Sequence, residues 1–127
     1  MDIKEFAEQW IEADKEAWRN GNFALLEKLE DRDAVFHPPL GMPDMVGYEA
    51  HKQQIISARQ NYSDIENEWQ YLTGEGNLMV IGYKSSFRGS KKPDSARNFS
   101  SDEIIVARVE NGRIVEGWAK GQFTFPD

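Results

Sequence analysis

The sequence predicts an α+β domain in which three N-terminal helices pack against a curved, mostly antiparallel sheet. Three observations carry this. Apolar residues recur at helical spacing through residue 19, the period changes to two from Ile65 onward, and glycine-bearing turns at 74–76 and 110–113 join the later segments as hairpins.

The first helix is expected over residues 3 to 19. At 100° per residue, Ile3, Phe6, Ala7, Trp10, Ile11, Ala17 and Trp18 fall within an arc of about 140°. Lys4, Glu5, Glu8, Gln9, Glu12, Lys15, Glu16 and Arg19 fill the other side. Gly21 closes this helix, and Asn22 caps a second, short one running to about Glu30. Ala34 to His37 reads as a short strand stopped by Pro38 and Pro39. A third helix is expected over residues 47 to 60.

The remainder reads as a four-strand antiparallel meander. Ile65, Asn67, Trp69 and Tyr71 alternate with Glu66, Glu68 and Gln70, as in a half-buried strand. In the next strand, Leu78–Arg88, Met79, Ile81, Tyr83 and Phe87 share one face, while Leu78 and Val80 lie on the other. Apolar residues on both faces imply cover on both sides, helices inside and a partner subunit outside. Residues 98 to 109 and Ile114–Phe125 complete the meander.

At 127 residues the chain is expected to form one domain, 1–127, with a sizeable core. No apolar run approaches about 18 residues, so no membrane span is expected. The acidic, amphipathic start "MDIKEFAEQW" is unlike a secretory signal, which makes the cytoplasm the default location. There is no cysteine, which removes disulfides, thiolate nucleophiles and Cys-ligated zinc. A net charge of −7 argues against nucleic acid as a partner. The basic cluster of Arg88, Lys91, Lys92 and Arg97 reads as a solvated hairpin loop.

Four positions stand out. Asp14 falls in the middle of the apolar arc, between Trp10 and Trp18. It is a helix end drifting toward solvent, an aspartate bonding a neighbouring backbone, or a functional carboxylate in a cavity, because an unpaired buried charge costs several kcal/mol. Gly117, Ala119 and Gly121 follow Val115 on one face of the last strand, opposite Ile114, Glu116 and Trp118. Such small residues mean a cavity, close packing or a bend. His51 shares a helix face with Tyr48, Ile55, Ala58 and Tyr62, and reads as a satisfied core histidine ahead of a catalytic one. His37, at a strand end before two prolines, suits a general base that titrates near neutrality, with Asp14 expected across the cavity to orient it. HExxH, GxSxG, phosphate-loop and dinucleotide motifs are absent, and two distant histidines make a metal site improbable, so neither metal nor cofactor is expected.

The succession "WRNGNFALLEKLEDRDAVFHPPLGMPDMVGYEA", followed by a meander ending "ARVENGRIVEGWAKGQF", resembles the SnoaL-like polyketide cyclases. These belong to the superfamily of nuclear transport factor 2 and ketosteroid isomerase. The resemblance implies a cone-shaped half-barrel whose helices close a pocket, and a homodimer formed through the outer sheet face. It places His37 where ketosteroid isomerase has its aspartate base and Asp14 where it has an oxyanion-hole tyrosine. Ile105 takes the place of the second oxyanion donor, and Gly117 and Ala119 stand where the cyclases carry a histidine and an acid. With position 105 facing inward, Glu103 and Ala107 do too.

These readings predict a small-molecule enzyme with His37 and Asp14 as its acid–base pair. The expected pocket is formed by Trp10, Trp18, His51, Ile55, Tyr83, Glu103, Ile105, Gly117 and Ala119. Its ligand is expected to be a small apolar, cyclic or carbonyl-bearing molecule. A non-catalytic binding module and a dimerising domain with a filled core are the alternatives, and the missing last-strand acid favours the first of them.

Overall fold

A computed structural model describes residues 1–39, 41–91 and 98–124. Its elements follow the sequence pattern closely. Helix α1 spans Ile3–Asn20, α2 Ala24–Leu29 and α3 Tyr48–Asn61. The strands are β1 Glu30–His37, β2 Met45–Val46, β3 Tyr62–Glu75, β4 Leu78–Ser90, β5 Phe99–Glu110 and β6 Arg113–Thr124.

Local chemistry sets the helix ends. The Asp2 carboxylate accepts from the backbone N–H groups of Lys4 and Glu5 at 3.0 and 3.2 Å, satisfying two donors at the start of α1. Gly21, at φ +68°, adopts the left-handed turn that ends it and donates to the Ala17 carbonyl. Asn22 accepts from the Ala24 N–H at 3.2 Å at the head of α2. The β5–β6 turn needs two left-handed residues, supplied by Asn111 at φ +53° and Gly112 at φ +75°.

The sheet order is β2-β1-β6-β5-β4-β3. The expected meander β3–β6 is present, and two strands extend it. Strand β1 pairs parallel with β6, bringing His37 opposite Trp118 and Phe36 opposite Gly117. Strand β2 pairs antiparallel with β1. The four-strand expectation fell short because β2 is two residues long and the start of β1, "EDRD", has no apolar alternation.

The inner face of α1 (Phe6, Ala7, Trp10, Ala17) packs with Met79 and Ile81 of β4 and Ala107 of β5 in one buried cluster. Each large side chain removed from water there contributes about 1.5–3 kcal/mol. A bulge lies between β5 and β6, where Arg108 pairs with Glu116 but Val109 pairs with Ile114. Val115 is thereby skipped, and Ile114 turns into the core at 1% exposure. Ile114 therefore joins Gly117 on the inner side, correcting the strict alternation expected for this strand. Of the basic stretch, Arg88 lies in β4 and Lys91 follows it, while Lys92 and Arg97 lie outside the described residues, as does Phe125.

Candidate functional site

Between α1, α3 and the inner face of the sheet lies a cavity of about 540 Å³, within the range of small-molecule sites. Helix α1 contributes Trp10, Asp14 and Trp18, and α3 contributes His51 and Gln54. Strand β4 presents Met79, Tyr83, Ser85 and Phe87, and β5 presents Ser101, Glu103, Ile105 and Ala107. Gly117 and Ala119 of β6 also line it. These small residues leave open volume, although a Cβ at Gly117 would come within 3.1 Å of the Phe36 ring. Gly121 has a different reason: a Cβ there would collide with the Asp102 carbonyl of β5. Ile55, expected in the pocket, is instead fully buried in the core, while His51 of the same helix lines the cavity.

The polar centre of the cavity is built on Glu30, His51 and Asp14. Glu30 begins β1 and is 1% exposed. Its carboxylate accepts from Trp10 Nε1 at 2.9 Å and from His51 Nδ1 at 2.9 and 3.1 Å. His51 Nε2 faces Asp14 Oδ1 at 3.9 Å, close enough for charge attraction but beyond hydrogen-bond distance. Asp14 Oδ2 accepts from Trp69 Nε1 at 2.9 Å. Asp14 Oδ1 is buried and has no hydrogen-bond partner among the described residues.

Electrostatics follow from this geometry. Burial pushes the Asp14 carboxyl up to about 6; His51 opposes the rise, Glu30 adds to it, and the Trp69 bond opposes it. Burial on its own would lower the His51 value, but the charge and hydrogen bond of Glu30, helped by Asp14, raise it to about 9. At neutral pH the centre is thus an imidazolium bonded to Glu30, beside a carboxylate with one free oxygen. Tyr83 is raised well above its ordinary value, by burial first and then by the charge of Asp14. Glu103 is also raised by burial, against the opposing bond from Ser101.

His37 has a different setting. It lines the cavity rim beside Pro38, Pro39 and exposed Met42. Its Nδ1 is 3.0 Å from Asp44 Oδ1, its Nε2 is 2.7 Å from Glu116 Oε2, and its ring stacks on Trp118 at 5.8 Å. Glu116 also accepts from Arg108 at 3.3 Å. Glu116 and Trp118 flank the inward-facing Gly117 in β6, and His37 and Trp118 stand at the rim of the cavity. The bond from Glu116, then that from Asp44, raises His37 above its ordinary value. The expected pairing of Asp14 with His37 is therefore corrected: both imidazole nitrogens of His37 are engaged elsewhere, and Asp14 faces His51. Phe36 packs inward against His51, with ring centroids 5.2 Å apart, while its neighbour His37 sits at the rim between Asp44 and Glu116.

Sequence reasoning missed Glu30, which reads as solvated among Glu27, Lys28, Asp31, Arg32 and Asp33. It also missed Ser85 and Ser101. The signal for Ser85 was present, since it shares the parity of Met79, Ile81, Tyr83 and Phe87. Among the described residues, no group of three or more His, Cys, Asp and Glu is arranged to hold a metal ion, and no helix is long and apolar enough to cross a membrane.

No curated protein matches the sequence. Solved structures with the same fold are numerous in kind. Bal32a, from a soil-derived mobile gene cassette, is 19% identical, with 97% of this chain and 92% of that one covered at a TM-score of 0.75. A proposed SnoaL-like polyketide cyclase from Mesorhizobium loti is 20% identical over 94% and 98% of the two chains, with a TM-score of 0.71. IdmH of Streptomyces antibioticus, a proposed polyketide cyclase, is 20% identical over 96% and 93%, at 0.69. At this identity the likeness establishes the cone-shaped fold alone. The family profile described as a SnoaL-like domain matches residues 7–117, and the chain belongs to the SnoaL-like domain family.

Proposed function

We propose that this protein is a small-molecule enzyme in which Asp14 is the general base, acting on a neutral, apolar, cyclic substrate at a carbon beside a carbonyl. The observation that carries the reading is the free Oδ1 of Asp14, a buried carboxylate oxygen with no hydrogen-bond partner among the described residues. A value near 6 leaves Asp14 ionised yet basic at neutral pH. The Trp69 N–H holds the carboxylate through Oδ2, and the His51 imidazole faces Oδ1 at 3.9 Å without hydrogen-bonding it. Among the described lining residues there is no lysine or arginine, which disfavours phosphates and free acids as ligands.

The test is deuterium uptake from D₂O into 1-tetralone and larger cyclic ketones, followed by NMR. The wild type is expected to exceed the buffer rate by at least about 10²-fold, and Asp14→Asn to lose that excess. A ketone that binds but exchanges only at the buffer rate overturns the enzyme reading in favour of a binding module. Failure of every ketone to bind overturns the substrate class.

We also propose a homodimer through the outer sheet face. Leu72, Leu78, Ile104 and Trp118 are 44, 41, 51 and 37% exposed on β3–β6, and an apolar sheet face of this kind favours cover by a second copy. Light scattering of the wild type and of Ile104→Lys tests this: a monomeric wild type overturns it.

A further inference from the structure

Charge inside the cavity is lopsided. Among the described residues, the carboxylates of Asp14 and Glu103 line it, and that of Glu30 is bonded to His51. Against them stands one buried imidazolium, His51. The other lining histidine, His37, sits at the rim between Asp44 and Glu116. Lys15 and Arg19 of α1 line an adjoining groove instead, where Lys15 is paired with Glu12 at 3.4 Å. The inner cluster therefore carries a net negative charge, with no lysine or arginine of the described lining to offset it.

Hydrogen-bonding capacity is lopsided in the same sense. Trp10 gives its Nε1 proton to Glu30 at 2.9 Å, and Ser101 gives its hydroxyl proton to Glu103 Oε2 at 2.8 Å. Ser101 then has no proton left for Ser85, so in their 2.9 Å contact Ser85 is the donor. What this part of the wall leaves open is acceptor capacity. Asp14 Oδ1 is the extreme case: it has no hydrogen-bond partner among the described residues, and its side chain is buried. The second lining carboxylate is close by. Trp69, which donates to Asp14 Oδ2, pairs across strands with Tyr83, and Tyr83 pairs with Glu103.

We propose that the cavity is also a binding site for organic ammonium ions: a protonated primary amine on a small cyclic, apolar skeleton, with one N–H donated to Asp14 Oδ1. Glu103, two strands from Trp69, adds attraction at longer range. Aromatic lining side chains, among them Trp10, Trp18 and Tyr83, receive the skeleton and attract the cation to their rings. Burying an ion pair ordinarily dehydrates both ions. Here folding has already dehydrated the carboxylate, so binding dehydrates only the ligand and gains a charge-assisted hydrogen bond. The neutral ketone of the proposed reaction leaves Oδ1 free to act on carbon, whereas an ammonium occupies it. An amine of the same skeleton is therefore an inhibitor. That consequence rests on Asp14 as the base; the binding itself does not.

The test compares three ligands on one skeleton by isothermal titration calorimetry with the full chain near neutral pH. They are 2-aminotetralin, its neutral counterpart 2-tetralol, and the anionic tetralin-2-carboxylate. The amine is expected to bind at least about tenfold more tightly than the alcohol, and the carboxylate more weakly than either. Asp14→Asn should remove the amine's advantage while changing the alcohol's affinity less than about threefold. Glu103→Gln should reduce that advantage by about threefold, as expected of a more distant charge. In ¹H–¹⁵N spectra the amine should shift the indole N–H signals of Trp10 and Trp69, which places it at the inner cluster. The same spectra show that Asp14→Asn is folded.

An amine that binds no better than the alcohol overturns the proposal, as does an advantage that survives Asp14→Asn. The two readings fail separately. Asp14-dependent amine binding without ketone exchange removes the base and keeps the ammonium site. Ketone exchange that a large excess of amine leaves unchanged removes the ammonium site and keeps the base.

Discussion

The molecule holds two histidines, each facing two carboxylates, and they are physically unlike. His51 lies between Glu30 and Asp14 inside the fold, with side-chain exposures of 11, 0 and 5%. His37 lies between Asp44 and Glu116 with 31, 49 and 29%. In the outer cluster both imidazole nitrogens sit at hydrogen-bond distance from a carboxylate, and water screens what remains. In the inner cluster one carboxylate oxygen lacks a partner among the described residues, and burial magnifies every charge. The outer group is the better hydrogen-bonded, and the proposed function assigns reactivity to the inner group for its unsatisfied, desolvated atom.

The largest way to break this comparison is at Asp14. Asp14→Asn should abolish the catalytic excess, a loss of roughly 10²–10⁴, while His37→Ala should stay within about twofold in the same deuterium-exchange assay. A reversed order would return the base to His37.

Next comes Glu30. Glu30→Ala leaves a buried imidazolium and the Trp10 N–H without their acceptor, and should cost about 3–5 kcal/mol in urea unfolding. Glu116→Ala, in the exposed cluster, should leave the unfolding midpoint within error. Equal effects would mean that the inner pair is no better shielded than the outer.

The pH dependence of stability sharpens the contrast. The folded value of His51, about 9, lies above its ordinary 6.5. Its contribution is therefore full below pH 6.5 and is lost as pH rises through about 9. Asp14, raised from 3.8 to about 6, holds its proton longer in the folded state, so it too costs stability as pH rises from about 4 to 6. The melting temperature should fall from pH 6.5 to 9. Asp14→Asn should be more stable than the wild type at pH 8, by on the order of 1–3 kcal/mol, and show no gain at pH 4. A wild-type melting temperature that is flat to pH 9 would contradict the buried imidazolium.

The smallest expected effect concerns volume. Ala119→Leu should fill part of the cavity and weaken ketone binding about tenfold or more, with little change in melting temperature. Undiminished affinity would place the ligand elsewhere.

What the sequence determined is what repeats locally. Helical spacing marked α1 and the misfit of Asp14 within it, alternation marked β3–β6, and Gly117 and Ala119 marked a face with open volume. The motif order pointed to the family, which the match over residues 7–117 bears out. The tertiary structure decided which charges meet. Glu30 reaches His51 across 21 positions, Trp69 reaches Asp14 across 55, and Glu116 reaches His37 across 79. No local period encodes such pairings. The last depends on the parallel docking of β1 beside β6, the first on α3 packing over β1 and the second on α1 packing over β3. A charged run such as residues 27–33 reads the same whether one member is buried or none is, because only packing removes a particular carboxylate from water.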